Sequence, residues 1–409
     1  MLYTVTSDIL DSIFESAMKS KIFVNREVLR PDYIPDDLPH REEQIIKLGS
    51  ILAPALQKSR PSNVFIYGLT GTGKTAVTKY VLKKLLKKAS EIGTDLIACY
   101  VNTRQDDTTY RVLVRIGECL GLKIPFTGLS TAEVYRRVMR ALDSLSIVMI
   151  VVLDEIDFLI KKRGDELLYR LTRANEELTR SKISVIGITN DVKLVESLDP
   201  RVKSSLGEVE MVFPPYNAVQ LEDILWQRAK IAFRPEAIDE GVISLCAALA
   251  AREHGDARRA LDLLRVAGEI AERENSDRIR IEHVYKARSE IEKDRVFEIV
   301  STLPLHSKLI LLSILKLNME KKSPPTTGEV YALYKEFCKY LKIESVTQRR
   351  TSDVISELDM LGIVSARIVS RGRYGKTRII TLSIPPNVLE GALSEEPRLE
   401  YLLKIFRSR

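Results

Sequence analysis

Eight residues near position 70, Gly68-Leu69-Thr70-Gly71-Thr72-Gly73-Lys74-Thr75, limit what this chain can fold into more than any other stretch. They follow the apolar run "NVFIY" and precede the amphipathic run "AVTKYVLKKLL", so the glycines form a turn between a strand and a helix. In such a turn successive backbone N–H groups point inward around phosphate oxygens, and the positive end of the helix lies behind them. Gly68, Gly71, Thr72, Gly73, Lys74, Thr75 and Ala76 are therefore the expected nucleotide-binding residues. Lys74 is placed to contact the β- and γ-phosphates of ATP, or the β-phosphate of ADP, and Thr75 to set its hydroxyl on Mg²⁺. A strand, phosphate turn and helix in that order call for an α/β domain with a parallel sheet.

The flanking sequence agrees. Between 61 and about 214, "NVFIYG", "DLIACYVN", "SIVMIVVLDE" and "KISVIGITN" alternate with helical patterns. Continuous apolar runs of this kind suit strands covered on both faces. The third run ends in Asp154-Glu155, offering one carboxylate for a metal and a second to polarise water. The fourth ends in Asn190, a side chain able to orient a lytic water near a γ-phosphate. Residues 1–60 read as an extended, proline-punctuated lead-in running into a short amphipathic helix. Residues 217–296 carry no strand signal and read as several helices.

With 409 residues the chain has room for two or three domains, and its 45% hydrophobic and 29% charged content is that of a globular protein. No apolar run approaches the roughly 18 residues needed to span a bilayer, and a cytoplasmic, nucleoid-associated location is expected. Four cysteines stand without CxxC or histidine spacing, which suggests neither a disulfide framework nor a zinc site. Charge is unevenly shared. Residues 301–409 hold 18 Lys+Arg against 11 Asp+Glu, which accounts for the whole net charge of +7. A basic terminal quarter raises the expectation of a nucleic-acid partner.

That quarter has a pattern of its own. Thr326 and Glu329 form a capping-box pair ahead of Val330, Leu333, Tyr334, Phe337 and Leu341 at helical spacing. After "KIES", a second helix carries Val354, Ile355, Leu358 and Leu361 on one side and Arg349, Ser352 and Ser356 on the other. Two helices with an outward polar face suggest a helix-turn-helix, a pattern also common in all-helical proteins. "IVSARIV" and "RIITLSI" then read as a two-strand hairpin with "SRGRYGK" at its tip. A hairpin directly after the outward helix makes a winged helix. Arg349 and Ser352 are its expected base-reading residues, and Arg371, Gly372, Arg373, Tyr374 and Lys376 its wing contacts to DNA.

The order of phosphate loop, Asp-Glu, polar sensor and helical lid resembles the AAA+ ATPases. That resemblance implies that Arg258, in "HGDARRALDLLR", touches the γ-phosphate, that Tyr216 lies near the adenine, and that Arg228 is close to the nucleotide. AAA+ core, lid and winged helix in succession, with "YIPDDLPHREEQ", "PFTGLSTAEVYRR", "LDPRVKSSL" and "FPPYN", resemble the archaeal origin-recognition initiators of the Orc/Cdc type. The expected architecture is an AAA+ domain over 1–214, an all-helical lid over 215–298 and a winged-helix domain over 299–409. The resemblance implies origin duplex DNA, the MCM replicative helicase and paralogous initiators as partners, with slow ATP hydrolysis serving as a switch. It also makes Arg111, Phe126, Thr127 and Gly128, in and beside an insertion at 122–137, a second DNA contact. In many AAA+ rings a Ser-Arg pair reaches the neighbouring subunit. Here the corresponding residues are Lys203-Ser204-Ser205-Leu206, with Arg201 the nearest arginine. Two other readings share parts of this plan: a branch-migration motor, which needs a hexamer and a working trans arginine, and a nucleotide-responsive transcriptional regulator.

Overall fold

The computed structural model describes residues 20–125, 127–191, 194, 198–206, 208–320, 323–370 and 376–407. The chain divides into two compact units, Met1–Tyr285 and Lys286–Arg409.

The first unit is built on five parallel strands, β1 (Val64–Gly68), β2 (Leu96–Asn102), β3 (Val148–Asp154), β4 (Lys182–Thr189) and β5 (Val209–Phe213), in the order β2-β3-β4-β1-β5. Strand periodicity divides β3 between two cores. Met149, Val151 and Leu153 face one layer, with residues of α3 (Thr109–Cys119) and α4 (Thr131–Leu145). Val148, Ile150 and Val152 face the other, with α1 (Glu42–Leu52) and α2 (Lys74–Glu91). All seven residues of β3 are buried, as the continuous apolar run implies. Strand β5 carries no such run. It is an edge strand in which only Met211 and Phe213 are buried, so its sequence alternates and does not announce it.

One expectation from the sequence is corrected here. Cys99 on β2 and Cys119 at the end of α3 form a disulfide, their Cα atoms 5.9 Å apart. The pairing arises because α3 packs on β2, a neighbour relation that the spacing of 20 residues does not encode.

Three helices, α8 (Ala218–Ala232), α9 (Val242–Arg252) and α10 (Ala257–Arg273), follow the sheet as a lid. A capping box between Asn217 and Gln220 starts α8, and Asp256 caps α10 by accepting from the backbone of Arg258 and Arg259. The lead-in is not simply extended. Phe23 pairs with Phe233, ring centroids 4.9 Å apart, and presses on Gly268, while a short turn at Arg26–Leu29 lies on α8 and α10. Between β3 and β4 run α5 (Ile156–Arg163) and α6 (Glu166–Arg173), and α7 (Pro200–Leu206) precedes β5.

The boundary between the units falls within α11 (Ile281–Thr302). The second unit wraps α12 (Leu305–Glu320), whose residues Leu309–Leu315 are buried on every side, so it is the central helix of its core. Packed with it are α13 (Thr327–Tyr340), α14 (Gln348–Met360), the antiparallel pair β6 (Val364–Ser370) and β7 (Lys376–Leu382), α15 (Pro386–Ser394) and α16 (Pro397–Arg407). The Thr326–Glu329 box is formed, and Val330, Tyr334 and Phe337 are buried as their spacing predicts. Leu361 departs from its prediction: it caps α14 and is 40% exposed.

Candidate functional site

The phosphate loop lies at the carboxyl end of β1, the position at which open parallel sheets bind ligands. Gly73, with φ +88, opens α2 directly, which aims the free N–H groups of the first helical turn into the cavity. Lys74 is 5% exposed, and its Nζ donates to the carbonyls of Gly68 (2.9 Å) and Leu69 (2.7 Å). Burial lowers its pKa to about 8, against an upward pull from Asp154.

Asp154 ends β3 in register beside Asn102 of β2. Its Oδ2 accepts from Thr75 Oγ1 at 2.8 Å and from Tyr100 Oη, and its Oδ1 accepts from the Glu155 N–H at 2.9 Å. Thr75 and Asp154 thus bring two hard oxygen donors together, a set suited to Mg²⁺ completed by phosphate and water. Glu155 has φ +57, a strained value for a non-glycine residue that aims its side chain differently from that of its neighbour. Thr103 Oγ1 holds this turn by donating to the carbonyl oxygens of Asp154 and Glu155 at 3.1 and 2.7 Å. Asn190 follows β4. The segment around it is fixed to α5 by Thr189 Oγ1 donating to Asp157 (3.0 Å) and Lys161 pairing with Asp191 (2.7 Å).

The lid closes on this loop. The Ala257 N–H donates to Gly71 O (3.1 Å), and the Tyr216 N–H to Gly255 O (3.2 Å). Gly71 (φ +71) must be glycine, because a Cβ there would lie 1.7 Å from the Asp256 carboxylate. Arg258 in the first turn of α10 lines the cavity, whereas Arg259 is bound to Glu253 at 3.0 Å. A cavity of about 490 Å³ gathers the loop, Asp154, Glu155, Asn190, Tyr216, Arg228 and Arg258. It therefore unites the phosphate-loop residues Gly71–Ala76 with the other nucleotide-site residues named from the sequence, Gly68 excepted. Gly68 contributes its carbonyl to Lys74.

Three residues of this region escaped sequence reasoning. Tyr100, inside an apolar strand, reaches Asp154, and burial beside that carboxylate holds its phenol protonated. Arg41, 2% exposed, donates to the carbonyls of Thr72 (2.9 Å), His40 (2.9 Å) and Pro214 (2.6 Å), and its guanidinium lies 3.8 Å from the Tyr216 ring. The third, Gln227, lines the cavity from α8. No spacing rule finds these residues, because each is defined by a partner distant in sequence.

In the second unit, Arg349 is exposed near the start of α14, and Ser352 is half-buried one turn on. Arg378 of β7 donates to Ser356 Oγ (2.8 Å) and Ser352 O (3.3 Å), tying the hairpin to the outward helix. The wing tip, Arg371, Gly372, Arg373 and Tyr374, lies outside the described residues, and Lys376 is described only as the first residue of β7. In the insertion Phe126 is likewise outside them. Thr127 is exposed, Gly128 has φ +97, and Tyr110 Oη donates to Pro125 O at 2.6 Å. Arg111 is engaged by Asp107 (3.0 Å), and Arg136 and Arg137 share Glu133. Arg201 is held by Asp199 (3.2 Å) and lies over Tyr169. Among the described residues no helix is long and apolar enough to cross a membrane, and no cluster of three or more metal-ligating side chains occurs.

Comparison with known proteins matches three family models in succession: an AAA domain at residues 57–192, a Cdc6 AAA+ ATPase-type lid domain at 222–289 and a CDC6 C-terminal winged helix domain at 298–392. The chain is 60% identical over 390 residues to ORC1-type DNA replication protein 1 of Sulfurisphaera tokodaii, covering 95% of this chain and 97% of that one. It is similar to the structure of the Aeropyrum pernix ORC1 protein in complex with DNA, with 58% identity, a TM-score of 0.86 and coverage of 94% and 99%. It is also similar to the crystal structure of Cdc6p from Pyrobaculum aerophilum, with 26% identity, a TM-score of 0.58 and coverage of 92% and 99%.

Proposed function

This chain belongs to the ORC1-type DNA replication proteins, and on that premise we propose that it recognises origin duplex DNA under the control of bound ATP or ADP. The observation that carries the DNA reading is the bond from Arg378 to the outward face of α14, which ties strand β7 of the hairpin to that helix. Arg349, exposed on that helix, has the length and forked donors to reach guanine O6 and N7, and Ser352 lies on the same side. Arg371, Gly372, Arg373, Tyr374 and Lys376 supply phosphate contacts, with Arg111, Phe126, Thr127 and Gly128 as a second contact. The DNA complex of the Aeropyrum pernix relative supports this reading.

In the nucleotide site, Lys74 and Arg258 hold the γ-phosphate and Thr75 and Asp154 hold Mg²⁺. Bound there, the metal neutralises charge across the β- and γ-phosphates. Glu155 polarises the attacking water and Asn190 orients it. Hydrolysis is slow and serves as a switch, because Arg201 is held by Asp199 and no Ser-Arg pair stands at the trans position. Recruitment of the MCM helicase and pairing with paralogous initiators rest on the same family membership.

The test is a genome-wide occupancy map of the full-length protein with and without Arg349→Ala. A few strong origin repeats in the wild type, and relaxed sequence preference in the variant, are expected. Occupancy of many promoters would favour the transcriptional reading. Equal losses on specific and random duplex would move Arg349 to the DNA backbone.

A further inference from the structure

Tyr334 on α13 is fully buried in the core of the second unit, which it shares with Leu309, Val330, Phe337 and Ile355. A phenylalanine would fill nearly the same space, so the hydroxyl calls for a reason of its own; a buried phenol needs hydrogen-bond partners. It has two. The Val346 N–H donates to Tyr334 Oη at 2.9 Å, and Oη lies 2.7 Å from Nδ1 of His306, near the start of α12. A backbone amide can only donate, so Oη accepts from Val346 and its own hydrogen is left for His306. One side chain thereby joins α12, α13 and the turn that leads from α13 into α14.

That turn sets how α14 begins. Its first half is held by backbone bonds, the Lys342 N–H to Lys339 O (3.1 Å) and the Ile343 N–H to Cys338 O (3.0 Å). Its second half is held by the bond from Val346 to Tyr334, directly before Thr347, whose Oγ1 caps α14 by accepting from the Arg350 N–H at 3.3 Å. Arg349 follows at once and is exposed. Farther along α14, Val354, Ile355 and Leu358 are buried against the core, but apolar burial is non-directional. A hydrogen bond has a preferred distance and angle, and Tyr334 supplies one at the end of the helix that carries Arg349.

We propose that Tyr334 is a positioning residue for base reading: by holding Val346 it sets the first turn of α14 so that Arg349 meets a base edge in register. It touches no DNA itself and acts through Arg349. The inference rests on the base-reading role given to Arg349 above, and adds a determinant of sequence preference that lies inside the core. Paired hydrogen bonds to a base need both distance and angle, whereas attraction to phosphates tolerates a small shift of the helix. Loss of the hydroxyl therefore costs specific binding and spares non-specific binding.

Tyr334→Phe removes the hydroxyl and keeps the ring. Fluorescence anisotropy on the full-length protein compares the strongest genomic duplex of the occupancy map with a random duplex of equal length at one salt concentration. The ratio of the two affinities should fall about fivefold in Tyr334→Phe, with random-duplex binding unchanged. In an Arg349→Ala background the same change should lower the ratio no further, because the residue it positions is gone. His306→Leu, which removes the acceptor of the phenol hydrogen, should shift the ratio the same way and decides the matter if Tyr334→Phe does not fold. A Tyr334→Phe chain with the wild-type ratio, whatever its melting temperature, overturns the positioning role alone, as does a loss that adds in full to that of Arg349→Ala. An Arg349→Ala chain that keeps the wild-type ratio overturns the recognition-helix reading itself, and the positioning role with it.

Discussion

Lys74 shows how far a single residue could be read from sequence, and where reading stopped. The motif places its ammonium at the phosphates, but only the fold shows that the group is desolvated against Gly68 and Leu69 carbonyls, with a pKa lowered to about 8. The consequence is a pH dependence with a definite sign. A triphosphate prefers the protonated lysine, so affinity is complete below pH 8 and falls as pH rises through it. Isothermal titration of ATP should show a loss of about twentyfold between about pH 7.5 and 9.5, with proton uptake on binding at the upper end. Lys74→Arg, whose guanidinium stays charged, should bind ATP with no such slope. The carboxylates were legible in the same partial way. Asp154 and Glu155 end an apolar run and were found, whereas Tyr100, which donates to Asp154, was not. Its signal is a register position beside β3, and register is absent from a single strand read alone.

At the scale of elements, long periodic segments declared themselves and exposed or contact-defined ones did not. β3 and β4 are buried on both faces and were plain in the sequence, while β5 at the sheet edge was missed. The lead-in was read as extended because its prolines speak louder than Phe23, whose partner Phe233 lies 210 residues on. The hairpin of the second unit was legible from alternation, yet its tie to α14 through Arg378 was not. That tie separates two kinds of contribution to DNA binding. Ser356→Ala removes the acceptor of the 2.8 Å bond but no charge, so it should weaken DNA binding by about threefold with an unchanged salt slope. Arg378→Ala removes the charge as well, and should also lower the slope of log K against log[salt] by about one if the guanidinium lies at a phosphate. Fluorescence anisotropy at four salt concentrations separates the two, and identical slopes for both variants would make Arg378 a purely positioning residue.

Taken whole, the molecule divides its charge as it divides its contacts. The second unit, Lys286–Arg409, holds 22 Lys+Arg and 15 Asp+Glu, so the entire +7 belongs to it and the nucleotide-binding unit is neutral. Composition alone gave that asymmetry, but not the way in which three remote segments meet in the first unit. Residues 30–39, the phosphate loop and the lid each supply a wall of one cavity, and Arg41 joins the loop to the Pro214 hinge. A ligand in that cavity holds segments that the chain itself connects only by long detours. By mass action, nucleotide at a hundred times its dissociation constant adds about 2.7 kcal/mol to the stability of the closed form. The lead-in should profit most, since it is a non-repetitive strand of chain whose amides have few backbone partners. Trypsin supplies a simple gauge, because Arg30 is exposed but followed by proline, whereas Arg26, paired with Glu272 and lying over the Phe23 ring, is cleaved only when the segment opens. Cleavage at Arg26 should slow by a factor of about 1 + [nucleotide]/Kd, making protease resistance of the amino-terminal segment a direct readout of which nucleotide the site holds and how firmly.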